Sequence, residues 1–113
     1  MPMITLTTSA DITPERAEAL KAGFGQAIAL LPGKTETWLM ASLAGNTPMY
    51  FQGEAREAAF LEVSCFGKGK PEAYGKLTGA LCELLEQQLG IDPANVYVKY
   101  SESSNWGWNG GNL

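Results

Sequence analysis

Moved forward by 57 residues, the first half of this chain lies on the second. Pro14 falls on Pro71, and Ala17, Leu20, Phe24, Ala27 and Ile28 fall on Tyr74, Leu77, Leu81, Leu84 and Leu85. Leu31 falls on Gln88, with Leu89 beside it. Apolar residues at this spacing form one face of a helix, and a repeated helix face implies a repeated unit. Thr13 is a suitable N-cap for the first helix, Pro14 suits its first turn and Pro32-Gly33 ends it. Strands are expected at 3–7, 37–44, 59–66 and 96–100, with the second helix starting at Pro71 and Gly90 just past its end. Residues 45–57 read as a connection and the tail after residue 100 as loop, with a brief edge strand at Trp106–Trp108.

The pattern is strand–helix–strand, written twice. The expected fold is α/β (α+β): two βαβ units related by a pseudo-twofold, forming a four-stranded mixed sheet with both helices on one face. In the second strand Trp38, Met40 and Ser42 alternate with Leu39, Ala41 and Leu43, so it reads as apolar on both sides. Two helices on one face leave the other bare, and another copy of the chain is the economical cover. A homo-oligomer packed sheet against sheet is therefore expected.

A chain of 113 residues, 45% hydrophobic and 18% charged, suits one globular domain over 1–113. No apolar run approaches the ~20 residues of a membrane span, and no secretory leader pattern opens the chain. No membrane association and a cytoplasmic location are expected. The net charge is −4 and the only arginines are Arg16 and Arg56, so no basic face is offered to nucleic acid. Cys65 and Cys82 form no CxxC and read as small buried hydrophobes. Histidine is absent, which excludes Ser-His-Asp and Cys-His machinery and any histidine metal site. A base at neutral pH must then be a perturbed carboxylate, a lysine, a thiolate or the N-terminal amine. No Asp or Glu falls in a segment expected beside a pocket.

Pro2 has two readings. Any residue is tolerated at a frayed strand end. If Met1 is removed, however, Pro2 presents a secondary amine, intrinsically more basic than an ordinary α-amine of pKa about 7.7–8.0, and an apolar setting lowers its pKa toward neutrality. Lys34 likewise reads either as a solvated cation past a helix C-terminus, where it is favourable, or as a ligand for an anion.

Pro2 at the start, "LLPGKTETW" after the first helix, "VSCFGKG" ending the third strand, "VYVKY" and "WGWNGG" together resemble the macrophage migration inhibitory factor family of the tautomerase superfamily, in order and over nearly the whole chain. The resemblance implies a homotrimer and a cofactor-free keto–enol tautomerase acting on phenylpyruvate-like 2-keto acids. It implies Pro2 as general base and Lys34 as partner of the substrate carboxylate or of the enolate oxygen. It assigns the Phe66 amide to a substrate oxygen, and Trp38, Tyr97 and Trp108 to the pocket, where ordinary core packing is the competing reading. Lys99 stands where the family's well-known member has asparagine, and either favours a second carboxylate or shrinks the pocket. Trp106 replaces a small aliphatic residue at the rim, Cys65 replaces serine, and residues 58–61 are "AAFL" where that member has CxxC. Superfamily branches that hydrolyse haloacrylates or decarboxylate malonate semialdehyde use clamping arginines, which Arg16 and Arg56 do not assemble. The competing readings are a non-catalytic, cytokine-like binding protein on the same trimeric scaffold and a purely structural trimer.

Overall fold

The two βαβ units join at their first strands. In the computed structural model, which describes residues 1–113, β1 (Pro2–Thr8), β2 (Met40–Ala44), β5 (Ala59–Phe66) and β6 (Val96–Ser103) form one sheet in the order β2-β1-β5-β6. Pairs β1–β2 and β5–β6 are parallel, and the seam β1–β5 is antiparallel, with Pro2 opposite Cys65 and Thr8 opposite Ala59. A pseudo-twofold between two βαβ units makes the seam antiparallel, and the expected architecture is the observed one.

Helices α1 (Pro14–Ala27) and α2 (Pro71–Leu89) cover one face. Thr13 Oγ1 accepts from the Arg16 amide at 3.2 Å, which satisfies one orphan donor of α1. The last turn of α1 tightens into a 3-10 turn at Ile28–Leu30, and α2 stops at Gly90 in the left-handed region (φ 68°). The core is built from alternate strand residues and the helix stripes. Ile4, Leu6, Leu61, Val63 and Cys65 meet Leu20 and Phe24 of α1, Ile28 of the turn that follows it, and Leu77, Leu81 and Leu85 of α2, all at most 2% exposed. Thr8 is the one buried polar side chain, and its hydroxyl donates to the Ala58 carbonyl at 2.7 Å. Gly23 lets the helices close: a Cβ there would collide with the side chain of Leu84. No helix is long and apolar enough to cross a membrane.

Four details depart from the expected boundaries. The strand expected at 37–44 begins only at Met40, because Glu36–Trp38 form a 3-10 turn that carries Trp38. The connection at 45–57 contains a hairpin, β3 (Tyr50–Phe51) and β4 (Glu54–Ala55), reversed at Gln52 (φ 54°) and Gly53 (φ 79°). Strand β6 runs to Ser103 rather than Tyr100. In the tail, β7 (Gly107–Trp108) and β8 (Gly111–Asn112) pair around Asn109-Gly110, a dipeptide suited to the positive φ of a two-residue turn.

The bare face is mixed rather than apolar. Register places Met40, Met3, Ser64 and Ser101 in one row across it, then Ser42, Thr5, Glu62 and Lys99, then Ala44, Thr7, Phe60 and Tyr97. Its middle row is polar, with Glu62 directly beside Lys99. The alternation in β2 reads as apolar, but of its direct neighbours on this face only Met3 is apolar, the others being Thr5 and Thr7.

Leu81 sits on the stripe of α2 that seals the core and has no exposed surface. Leu81→Ala is expected to lower the unfolding free energy by about 2–5 kcal/mol, from lost transfer energy and the cavity left behind. Urea titration at unchanged m-value measures it.

Candidate active site

The Phe66 peptide group gathers the chemistry. Strand β5 ends at Phe66, beside the start of β1, so the antiparallel ladder brings its N–H to the Met1 carbonyl at 3.1 Å. On its other side, the Phe66 carbonyl accepts from Lys34 Nζ at 3.0 Å. Lys34 arrives there because the chain reverses after α1. Gly33 takes φ 79°, and the Lys34 amide donates to the Leu31 carbonyl at 3.0 Å. Pro2 is buried at the end of β1 and is bonded through its nitrogen to Met1.

Burial holds the N-terminal amine below its ordinary value of 8.0, and the Lys34 cation pushes it further the same way, with Cys65 opposing. Burial pushes the Cys65 thiol up, against the pull of Lys34, so Cys65 is neither a thiolate base nor a ready nucleophile near neutral pH.

Two cavities flank this point. One, of about 510 Å³, is lined by Met1, Pro2, Met3, Trp38, Trp106 and Trp108 among others. Trp38 and Trp108 meet edge to face with centroids 5.0 Å apart, so the hairpin β7–β8 folds back onto the 36–38 turn. The other, of about 190 Å³, is lined by Lys34, Cys65, Phe66 and Tyr74, with Lys68 and Lys70 at its border. Pro2, Trp38, Trp106 and Trp108 thus share one concavity, and Lys34 and Phe66 share the next.

Tyr97 and Lys99 are elsewhere. Tyr97 pairs with Phe60, five residues back along β5 from the partner of Pro2, a displacement of roughly 17 Å at the rise of a strand. Both lie on the bare face, opposite the face that Pro2 shares with Ile4 and Leu6. Tyr97 packs edge to face on Phe51 at 5.1 Å instead. A single chain does not bring these two side chains to Pro2.

A carboxylate also stands beside the site, contrary to the sequence expectation. Glu102, in the extension of β6, accepts at Oε2 from the Gly69 amide and from Tyr74 Oη, both at 2.6 Å. These bonds, the Gly69 amide foremost, hold Glu102 below the usual carboxylate range, and burial together with Glu102 keeps the Tyr74 phenol protonated well above its ordinary range. The available signal is the alternation of Val98, Tyr100 and Glu102 onto the helix face, which puts the exposed Glu102 at the edge beside α2 and the loop before it.

A sheet of two pseudo-symmetric βαβ units with both helices on one face is the architecture of the tautomerase superfamily. Within it the chain belongs to the Macrophage migration inhibitory factor (MIF) family, whose sequence pattern it matches over residues 1–113. It is similar to macrophage migration inhibitory factor of Meriones unguiculatus, at 29% identity over 97% of this chain and 96% of that one. Its fold is similar to MIF2 of Leishmania major, with TM-score 0.94 and 27% identity over 100% and 97% of the two chains. The MIF-like protein of Entamoeba histolytica follows, with TM-score 0.89 and 25% identity over 99% and 98%.

Cys65 is buried and its thiol is pushed up. It is expected to resist iodoacetamide at pH 8 in the native protein and to react within minutes once unfolded in guanidinium. Peptide mass spectrometry checks this; rapid native alkylation would restore the thiolate as a candidate base.

Proposed function

We propose that the protein is a cofactor-independent keto–enol tautomerase of phenylpyruvate-like 2-keto acids, in which removal of Met1 makes the Pro2 amine the general base. The observation that carries this reading is the double use of the Phe66 peptide, with the Met1 carbonyl on its N–H and Lys34 on its carbonyl. The Met1 carbonyl occupies the position that a substrate oxygen would take. Removing Met1 frees an amine, a backbone donor and the neighbourhood of a cation in one step.

In this mechanism the enol substrate lays its carboxylate toward Lys34 and its oxygen on the Phe66 amide, with its ring in the tryptophan-lined cavity. The Pro2 nitrogen takes the enol hydroxyl proton, and the same proton is delivered to the neighbouring carbon as the ketone forms. The reverse direction removes a proton from that carbon while the Phe66 amide and Lys34 stabilise the charge gathering on oxygen. The pyrrolidine ring fixes the direction of the lone pair, which lowers the ordering cost of proton transfer. The assembly is a homotrimer. Tyr97 and Lys99 contribute to a site only from a neighbouring subunit, because roughly 17 Å and 10 Å of strand respectively, and the thickness of the sheet, part them from the Pro2 of their own chain.

A chain that keeps Met1 has an amide nitrogen at Pro2, and in that form the non-catalytic binding protein is the reading that applies.

Processed enzyme is expected to convert phenylpyruvate enol to ketone, while protein shown by mass spectrometry to retain Met1 is inactive. Pro2→Gly is expected to lose about 10²-fold in kcat/KM with the fold intact. The neutral amine is the active form, so kcat/KM is expected to rise with pH as the Pro2 ammonium loses its proton and to level off above that titration. Full activity in chains that retain Met1 removes Pro2 from the mechanism.

Sedimentation equilibrium at micromolar concentration is expected to give three times the 12.1 kDa chain mass. A stable monomer overturns the trimer, and with it any role for Tyr97 and Lys99 at the Pro2 site.

A further inference from the structure

The loop that carries the Phe66 peptide into α2 is intrinsically loose. It reads Phe66-Gly67-Lys68-Gly69-Lys70, with Gly67 at φ 82° and two glycines flanking Lys68. Glycine backbones have the widest conformational choice, so such a loop does not hold a peptide group in place by itself. Two tethers hold it, both from the end of β6. The Gly67 amide donates to the Ser103 carbonyl at 2.8 Å, and the Gly69 amide donates to Glu102 Oε2 at 2.6 Å.

The second tether is built with some care. The same Glu102 oxygen accepts from Tyr74 Oη at 2.6 Å, so the carboxylate bridges the loop and the first turns of α2. Tyr74 is in turn held from below, stacked on Tyr100 at 4.4 Å between centroids. The Tyr100 hydroxyl donates to the Tyr74 carbonyl at 3.0 Å. The Tyr74 ring lies so close over Gly69 that a Cβ there would come 2.5 Å from its hydroxyl oxygen. Glycine at 69 is therefore required for the bridge to close. The Tyr74 side chain also walls the cavity that holds Lys34 and Phe66.

We propose that Glu102 is a positioning residue: by clamping Gly69 and Tyr74 it fixes the 67–70 loop, and so sets the direction of the Phe66 N–H and the seat of Lys34 on the Phe66 carbonyl. The inference rests on the tautomerase reading for its catalytic consequence, but the clamp itself is a property of the chain. Glu102 touches no reacting atom. Its effect passes through the Phe66 amide, which meets the oxygen that gains charge in the transition state, so it acts on kcat more than on KM.

The test uses processed, Met1-free protein and three variants, Glu102→Ala, Glu102→Gln and Tyr74→Phe. A glutamine carbonyl oxygen accepts from both donors, so Glu102→Gln preserves the bridge. Glu102→Ala is expected to speed hydrogen exchange of the Gly69 amide, read by NMR, at least tenfold. It is also expected to lower kcat for phenylpyruvate about tenfold with KM within twofold, and Glu102→Gln to recover most of both. Tyr74→Phe, which keeps the ring stack and loses one donor, is expected to fall between, and it carries the test where Glu102→Ala fails to fold. Wild-type kcat and wild-type Gly69 exchange in Glu102→Ala, or in Tyr74→Phe where it stands in, overturn the proposal. So does a kcat loss that Glu102→Gln leaves in place. If processed wild-type protein turns over no 2-keto acid, the tautomerase reading fails by itself, and Gly69 exchange still decides whether Glu102 clamps the loop.

Discussion

The antiparallel ladder between Pro2–Thr8 and Ala59–Phe66 is the contact on which the rest of the molecule depends. It is the only pairing that joins the two βαβ units within the sheet, because β2 pairs with β1 alone and β6 with β5 alone. Its inward residues, Ile4, Leu6, Leu61 and Val63, form the floor on which both helices rest. Its outer end does something different: it sets the start of the chain against the Phe66 peptide and, from the far side, against Lys34. Packing and chemistry therefore share one row of backbone hydrogen bonds. A register slip of one residue would turn the core residues to the bare face and move the chain end off the Phe66 amide together.

Electrostatics at that end follow from what the chain lacks as much as from what it has. Without histidine, the group whose pKa is brought down toward neutrality is the Met1 amine, lowered by burial and by Lys34. The other titratable groups nearby are tuned away from that role. Cys65 is raised by burial, Tyr74 is kept protonated by burial and by its acceptor, and Glu102 is kept ionised by its two donors. Glu102 thus reads as a fixed acceptor, which is what a structural bridge requires. Because its pKa is depressed, the bridge contributes wherever the carboxylate is ionised and is lost only as pH falls through that lowered value.

Much of the architecture was legible because its signals are periodic and local. The 57-residue repeat, Pro14, Pro71 and Gly90 gave the helices, and β5 has the expected bounds of 59–66. Trp38 was misplaced in a strand because an apolar run carries no mark of the 3-10 turn that precedes Met40. Alternation in β2 alone spoke for an apolar second face, whereas a sheet face is set by lateral neighbours, and here those include Thr5, Glu62 and Lys99. The Tyr74–Glu102 bridge was missed for a related reason. Its partners are 28 residues apart, and Tyr74 had a sufficient explanation as part of a helix stripe. Resemblance supplied Tyr97 and Lys99 as pocket residues; register shows that their own chain holds them far from Pro2.

The hairpin at residues 50–55 has a consequence for how the polypeptide can be divided. Its tip, Gln52-Gly53, is exposed and lies in the only covalent link between the two units. A cut there would leave one fragment carrying β1, α1 and β2 and another carrying β5, α2 and β6. Each would end in an open strand edge that matches the other, and neither would have a complete core. Such halves have reason to recombine, since the hydrogen bonds of the seam and the apolar floor exist only when both are present. The molecule is in this sense a heterodimer that happens to be tied by one thread, suited to split-protein complementation, with the reconstituted Phe66–Lys34 contact reporting that the pieces have met.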